Sequence, residues 1–175
     1  MTVVVVVGNP KPESRTLGVA TALGRRLAQV AGAEPPRVID LARLGPRLFD
    51  PSDEQVLADL AALREAQVAV FASPTYKASF TGLLKLFLDR IPTGGLSGVL
   101  AVPVMTGGAP VHSLAVEVHL RPVLLELGAT LPTRGLYVVE SQLPDLEAVL
   151  DSWWATAAIP VRALLAPAAL PGVPA

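Results

Sequence analysis

The sequence predicts an α/β domain: a doubly wound, five-stranded parallel sheet in the order 2-1-3-4-5, with helices on both faces. Three observations carry this. Short β-branched runs alternate with stretches of helical periodicity along the whole chain. The strand candidates are continuous apolar runs, as expected of strands buried on both faces. No internal repeat and no long linker divides the 175 residues, a length that suits one domain with a real core.

The elements follow in order. Val3 to Val7 is an unbroken valine run ending at Gly8, the first strand. Ala20, Leu23, Leu27, Val30 and Ala31 then recur at helical spacing. Arg37 to Leu41 is a short second strand, and Ser52 is placed to cap a helix through Val56, Leu60 and Leu63. Val68 to Phe71 is the third strand. It leads through Ser73-Pro74-Thr75-Tyr76-Lys77 to a helix whose face is Phe80, Leu83, Leu84, Phe87 and Leu88, with Ser79 a candidate cap. Val99 to Met105 is the fourth strand, closed by Thr106-Gly107-Gly108. Pro110 fits the first turn of a helix running to about Leu127, with Gly128 as its C-cap. Leu136 to Val139 is the fifth strand. The last helix presents Leu146, Val149, Leu150, Trp153, Trp154, Ala157 and Val161, with a kink expected at Pro160. The domain is expected to span residues 1–165, and the Ala/Pro-rich segment 166–175 to be a mobile tail.

Composition excludes several function classes. A formal net charge of −1 gives no reason to expect nucleic acid or an anionic membrane as partner. With no cysteine, disulfides, thiolate catalysis and Cys-ligated metals drop out, and two histidines are too few for an ordinary His-rich metal site. No apolar run approaches the roughly 18 residues of a membrane span. The start, "MTVVVVVGNP", reads as a strand and not as a leader, so the chain is expected to be cytoplasmic.

In open α/β sheets, ligands bind beyond the carboxyl ends of the strands at the topological switch point, here beside strands 1, 3 and 4. Three unusual loops follow those same strands. "GNPKPESRT", Gly8 to Thr16, opens a helix and offers amides, hydroxyls and positive charge, a combination suited to an anion. It matches neither G-x-x-x-x-G-K-[ST] nor G-x-G-x-x-G, so a single phosphate, as in a mononucleotide, fits better; an ordinary capped loop is the alternative. In "SPTYK", Tyr76 can lie against a flat ring or cover the core. In "MTGG", Thr106-Gly107-Gly108 allows close approach of something to the backbone, or simply makes a tight turn.

Taken together, these residues resemble the NADPH-dependent FMN reductases, a flavodoxin-like family. "GNPKPESRT" is similar to the family's G-S-P-R-x-x-S-R-[ST] phosphate loop. "SPTYKASFTGLLKLFLDRIP" resembles its [ST]-P-x-Y-[KNH]-x-[STA]-[YF]-[ST]-G-x-L-K-x-x-x-D-x-[LI]-P segment, and "TGG" with His112 its third loop. The likeness extends from residue 1 to about 140, and is strongest to the alkanesulfonate-type flavin reductases of two-component monooxygenase systems. The resemblance implies that Asn9, Lys11, Ser14, Arg15 and Thr16 surround the FMN phosphate. It implies that Pro74, Thr75, Tyr76 and Lys77 hold the isoalloxazine edge, and that Thr106, Gly107 and Gly108 close the pocket. Asp89 matches a family position too. Asn9 and Lys11 stand where the family usually has Ser and Arg; lysine keeps the charge but loses the planar fork that binds phosphate bidentately, which implies weaker flavin retention. Related reductases carry an inserted aromatic, Tyr or sometimes His, in a π-bulge at a tetramer interface. Here Val118 takes the aligned place and His119 follows it, so His119 is expected either in a π-bulge or on the surface of a Pro-kinked helix.

The resemblance implies an NAD(P)H:FMN oxidoreductase using NADPH or NADH, assembled as a homodimer or homotetramer, that releases reduced flavin to a partner flavin-dependent monooxygenase. Flavin reduction needs little acid–base help, so no catalytic side chain and no metal is assigned. Two alternatives stay open: an FMN-bound reductase of quinones, azo dyes or metal ions, and a flavodoxin-like electron carrier without nicotinamide turnover, which the near-neutral charge disfavours.

Overall fold

The computed structural model describes residues 1–166. Strands β1 (Val3–Val7), β2 (Arg37–Asp40), β3 (Val68–Pro74), β4 (Leu100–Gly107) and β5 (Leu136–Val139) form one sheet in the order β2-β1-β3-β4-β5. All four pairings are parallel. The helices are α1 (Arg15–Ala31), α2 (Glu54–Arg64), α3 (Gly82–Leu88), α4 (Arg121–Glu126) and α5 (Leu146–Leu165). Fold class and strand order are as the sequence predicts. The tail expected at 166–175 lies, from residue 167 onward, outside the described residues.

Every residue of β1, β3 and β4 is buried, because helices cover both faces of these central strands. The pleat divides them. Val3, Val5, Val7, Val70 and Val104 pack with Leu23 and Leu27 of α1 and Leu150 and Val161 of α5. Val4, Val6, Phe71 and Met105 pack with Leu63 of α2, Phe87 of α3 and Leu124 of α4. Each such Leu, Val or Phe contributes about 1.5–3 kcal/mol on burial. The edge strands alternate in burial along part of their length. Trp153 joins the core and donates its indole N–H to Arg134 O at 3.0 Å, whereas Trp154 is half-buried with the Arg162 guanidinium over its ring. No helix among the described residues is long and apolar enough to cross a membrane.

Local chemistry sets the ends. Ser14 Oγ accepts the Leu17 amide at 3.2 Å and Gly32 closes α1 at φ 59°. Asp53, not Ser52, caps α2, accepting the Val56 amide at 3.0 Å; Ser52 turns back to bond Asp50 through its amide and hydroxyl. The Arg47 fork on Asp53, together with the Val56 amide, holds the Asp53 carboxyl below the usual range. Thr81, not Ser79, caps α3. Strand β2 stops at Asp40, where the Asp40 carboxylate accepts the Ala42 amide and turns Leu41 into a 3-10 helix.

The largest departure lies after β4. In place of one helix from Pro110 to Leu127 there is a 3-10 turn at Pro110–His112, a π-helical turn at Val116–Leu120, and then α4. The Arg121 amide reaches Val116 O in the wide i to i+5 pattern, one residue before Pro122, which has no N–H to give Val118. Of the two readings of His119, the structure has the π turn, with His119 exposed in it. Helix α5 runs on past Pro160 to Leu165.

Gly8 fixes how closely α3 meets β1. A Cβ there would stand 2.4 Å from Leu84 Cβ and 3.1 Å from Leu84 Cα. Gly8→Ala should therefore cost about 1–3 kcal/mol by forcing backbone apart, while Gly18→Ala, on the exposed side of α1 with nothing within 4 Å, should stabilise by up to about 1 kcal/mol. Thermal unfolding of both variants checks the pair, and equal effects would refute this account of Gly8. Asp53→Asn keeps a capping oxygen but loses the ion pair. Because the folded carboxyl titrates below its unfolded value, the wild type's advantage is full at neutral pH and disappears as the pH falls through the folded-state value. Urea midpoints of both proteins from pH 7 to pH 2 should converge at the acid end.

Candidate functional site

The carboxyl ends of β1, β3 and β4 lie side by side, with Val7 level with Ala72 and Pro74 level with Thr106. Their loops are joined by buried hydroxyls. Thr81 donates to Gly8 O and accepts the Leu84 amide, so one side chain caps α3 and holds the first loop. The Ser73 hydroxyl accepts the Thr81 amide at 3.0 Å and donates to Pro74 O at 2.8 Å. Thr16 Oγ and Thr106 Oγ meet at 2.8 Å, and Asn9 Nδ2 donates to Thr16 Oγ at 3.2 Å. The Thr75 amide donates to Thr106 O at 2.7 Å. A chain of hydrogen bonds thus runs from the first and second loops to the end of β4.

Above it opens a cleft of about 220 Å³, lined by Asn9, Lys11, Ser14, Arg15, Thr16, Pro74, Tyr76 and Thr106, together with Glu13 and Glu140. The structure therefore brings together eight of the twelve residues named from sequence. They do not all serve alike. Asn9 and Thr16 are buried and bonded inward; Asn9 Oδ1 accepts the Lys11 amide at 2.9 Å, an Asx turn that shapes the loop. Lys11 and Arg15 are exposed, Ser14 is half-buried, and Tyr76 is 51% exposed, its ring presented to solvent and not to the core.

The second loop is a tight reversal. Tyr76 and Ser79 exchange backbone hydrogen bonds, and both residues between them, Lys77 and Ala78, have positive φ of 51° and 63°. This is the pattern of a type I′ turn, normally made with Asn and Gly. Glu13 in the first loop has φ 52°. Among the described residues these are all the non-glycine residues with positive φ, and all sit in the two loops that flank the cleft. Thr75 Oγ is buried without a hydrogen-bond partner.

The third loop corrects an expectation. Strand β4 runs through Gly107, so Thr106 and Gly107 belong to the sheet. What approaches Gly107 is the Tyr137 hydroxyl, 2.1 Å from where a Cβ would stand, while Tyr137 donates to Ala109 O at 3.0 Å. Gly107 is thus taken up by internal packing, and Gly108 is exposed with nothing near it. Asp89 pairs with Lys85 at 2.6 Å on the exposed side of α3, away from the cleft lining. His112 is exposed at the end of its 3-10 turn.

Sequence reasoning missed Glu140, whose carboxylate lies 2.8 Å from Arg15 Nη1 at the cleft rim. The available signal was register: β5 ends with Val139 level with Gly107, so the residue after it falls beside the third loop. The site can therefore offer an anion two cations, a half-buried serine hydroxyl and the start of α1, and a flat group Pro74 and Tyr76; the Thr75 hydroxyl lies beside Gly107 and outside the cleft lining. A mononucleotide carrying a planar ring fits that donor set, so the residues present suit FMN.

Comparison with known proteins bears on the same point. The chain is 35% identical over 151 residues to an FMN reductase (NADPH) of Pseudomonas putida, covering 84% of this chain and 75% of that one. It is 33% identical to the NADH-dependent FMN reductase SfnF of Pseudomonas putida, over 91% of this chain and 94% of that one. Among solved structures, the apo form of an NADH:FMN oxidoreductase (EMOB) superposes with a TM-score of 0.82 at 28% identity, covering 97% of this chain and 91% of that one. Residues 1–143 match the family model described as NADPH-dependent FMN reductase, and the chain belongs to that family.

Proposed function

We propose that the protein is an NAD(P)H-dependent FMN reductase that takes up free FMN in the cleft beyond β1, β3 and β4, and releases it reduced to a flavin-dependent monooxygenase. The observation that carries the reading is the hydrogen-bonded continuity of the first two loops with the end of β4 around one cleft at the switch point of the sheet. The relatives' own activities, reduction of FMN with NADPH or with NADH, agree with it. A cytoplasmic homodimer or homotetramer is the form in which we expect it to act.

In this reading the chain's residues bind and orient. Lys11, Arg15, the Ser14 hydroxyl and the amides opening α1 hold the phosphate. Asn9, Thr16 and Thr106 act beneath them, keeping the loop in shape. Pro74 and Tyr76 receive the ring system, while Lys77 holds the strained turn that projects Tyr76. FMN held there would supply the redox chemistry, with the nicotinamide as source of the hydride. The protein contributes proximity and alignment of the two rings, which requires no side chain that donates or accepts a proton.

Oxidation of NADPH, and separately NADH, under air should saturate with added FMN in protein purified free of flavin. Turnover that needs a quinone and ignores added FMN would point instead to a bound-flavin enzyme, and FMN binding without oxidation of either nicotinamide would refute the catalytic reading. Tyr76→Ala should raise the KM for FMN about three- to tenfold, the range of an aromatic contact, with no loss of melting temperature because Tyr76 is half in solvent. A KM unchanged from wild type would remove Tyr76 from the flavin site.

A further inference from the structure

The Arg15–Glu140 pair has no evident structural task. Both side chains are exposed, at 65% and 40%, and pairs of that kind add little to stability. Glu140 nevertheless lines the same cleft as Lys11, Ser14 and Arg15, and Glu13 lines it too. A cleft built to hold an anion as tightly as possible would not face it with carboxylates, and would not satisfy one of its two cations beforehand.

We propose that Glu140 is a specificity- and affinity-setting residue for the flavin phosphate: it occupies Arg15 in the free protein and repels the phosphate in the bound one. The proposal rests on the reading that the phosphate sits in the Gly8–Thr16 loop. Physically, binding a phosphate at Arg15 requires breaking or sharing the 2.8 Å ion pair, and brings a dianion close to a carboxylate in a partly desolvated cleft. Both effects weaken binding of FMN. Neither acts on riboflavin, which has the same ring and no phosphate. Glu140 thus narrows the preference for FMN over riboflavin and speeds release of the phosphorylated flavin. Position supports a built-in arrangement: Glu140 is the first residue after β5, and the Val139 amide before it is held at 2.9 Å by the Gln142 side chain, which fixes the turn from which Glu140 projects.

The test measures dissociation constants for FMN and riboflavin with wild type, Glu140→Gln, Arg15→Gln and the double variant. Wild type should prefer FMN. Glu140→Gln should tighten FMN about fivefold, the scale of one partly exposed charge interaction, and leave riboflavin within twofold. Arg15→Gln should cost more affinity for FMN when combined with Glu140→Gln than when made in wild type, because only without the carboxylate is Arg15 free beforehand. If wild type prefers FMN but Glu140→Gln leaves its affinity unchanged or weakens it, the proposal is overturned while the phosphate-loop reading stands. If neither wild type nor Glu140→Gln distinguishes FMN from riboflavin, the phosphate-loop reading itself fails and the proposal with it.

Discussion

The site depends on one hydroxyl more than on any other group. Thr81 caps α3 through the Leu84 amide and at the same time donates to Gly8 O at the end of β1. That bond exists only because α3 comes within contact distance of Gly8, a distance no side chain at that position would allow. The consequences spread outward. With β1 and α3 held together, the Ser73 hydroxyl reaches the Thr81 amide and turns the chain after β3. Thr16, at the start of α1, can then meet Thr106 on β4. Loops that belong to three different βα units become one surface. Each of these hydroxyls is buried, so each bond is made where leaving it unmade would cost about 1–3 kcal/mol.

This arrangement separates the residues that build from those exposed at the cleft. Asn9, Thr16, Thr106 and Gly107 direct their chemistry inward, while Lys11, Arg15 and Tyr76 direct theirs outward. The strained backbone falls on the outward side. A left-handed conformation costs an ordinary residue roughly 1–2 kcal/mol, and Glu13, Lys77 and Ala78 all carry it. Asn or Gly would make the same turns with less strain. For Lys77-Ala78 the consequence is geometric: the tight reversal leaves Tyr76 standing out from the end of β3, where a longer loop would let it fold back on the core.

Much of this was legible in the residues. The valine run of β1 and the apolar runs of β3 and β4 announce a sheet buried on both faces, and strand order follows from the right-handed crossovers that short connections impose. The loops that line the cleft were legible because their polar residues interrupt an otherwise apolar chain. What was not legible was direction. Asn9 and Thr16 look on paper like phosphate ligands, and only the packing of α1 against β4 turns them under the loop. Gly107 reads as room for a ligand, yet the neighbouring strand fills that room with Tyr137. Glu140 was missed because it follows a strand outside the three that frame the switch point. The π turn at Val116–Leu120 was half legible: Pro122 shows that the helix ladder must fail there, but not how the backbone resolves the failure.

In the proposed reading, with the FMN phosphate at the first loop, the charges of the cleft favour a flavin that is passed on. A tight flavoprotein needs cations that hold the phosphate through many turnovers, preferably arginines whose fork binds two oxygens at once. Here the first-loop position that the family commonly gives to Arg is Lys11, a point charge on a flexible stem. The arginine that remains, Arg15, already has a carboxylate at 2.8 Å. These two features act in the same direction and through the same group, the phosphate. The ring contacts proposed for Pro74 and Tyr76 are left untouched. On the proposal, weakening the hold at the phosphate end would shorten the flavin's stay without loosening the alignment of its ring, and alignment is what hydride transfer needs. A release-prone reductase can therefore be made from this fold by altering charge at the cleft's rim alone, with the buried hydroxyl chain beneath it unchanged.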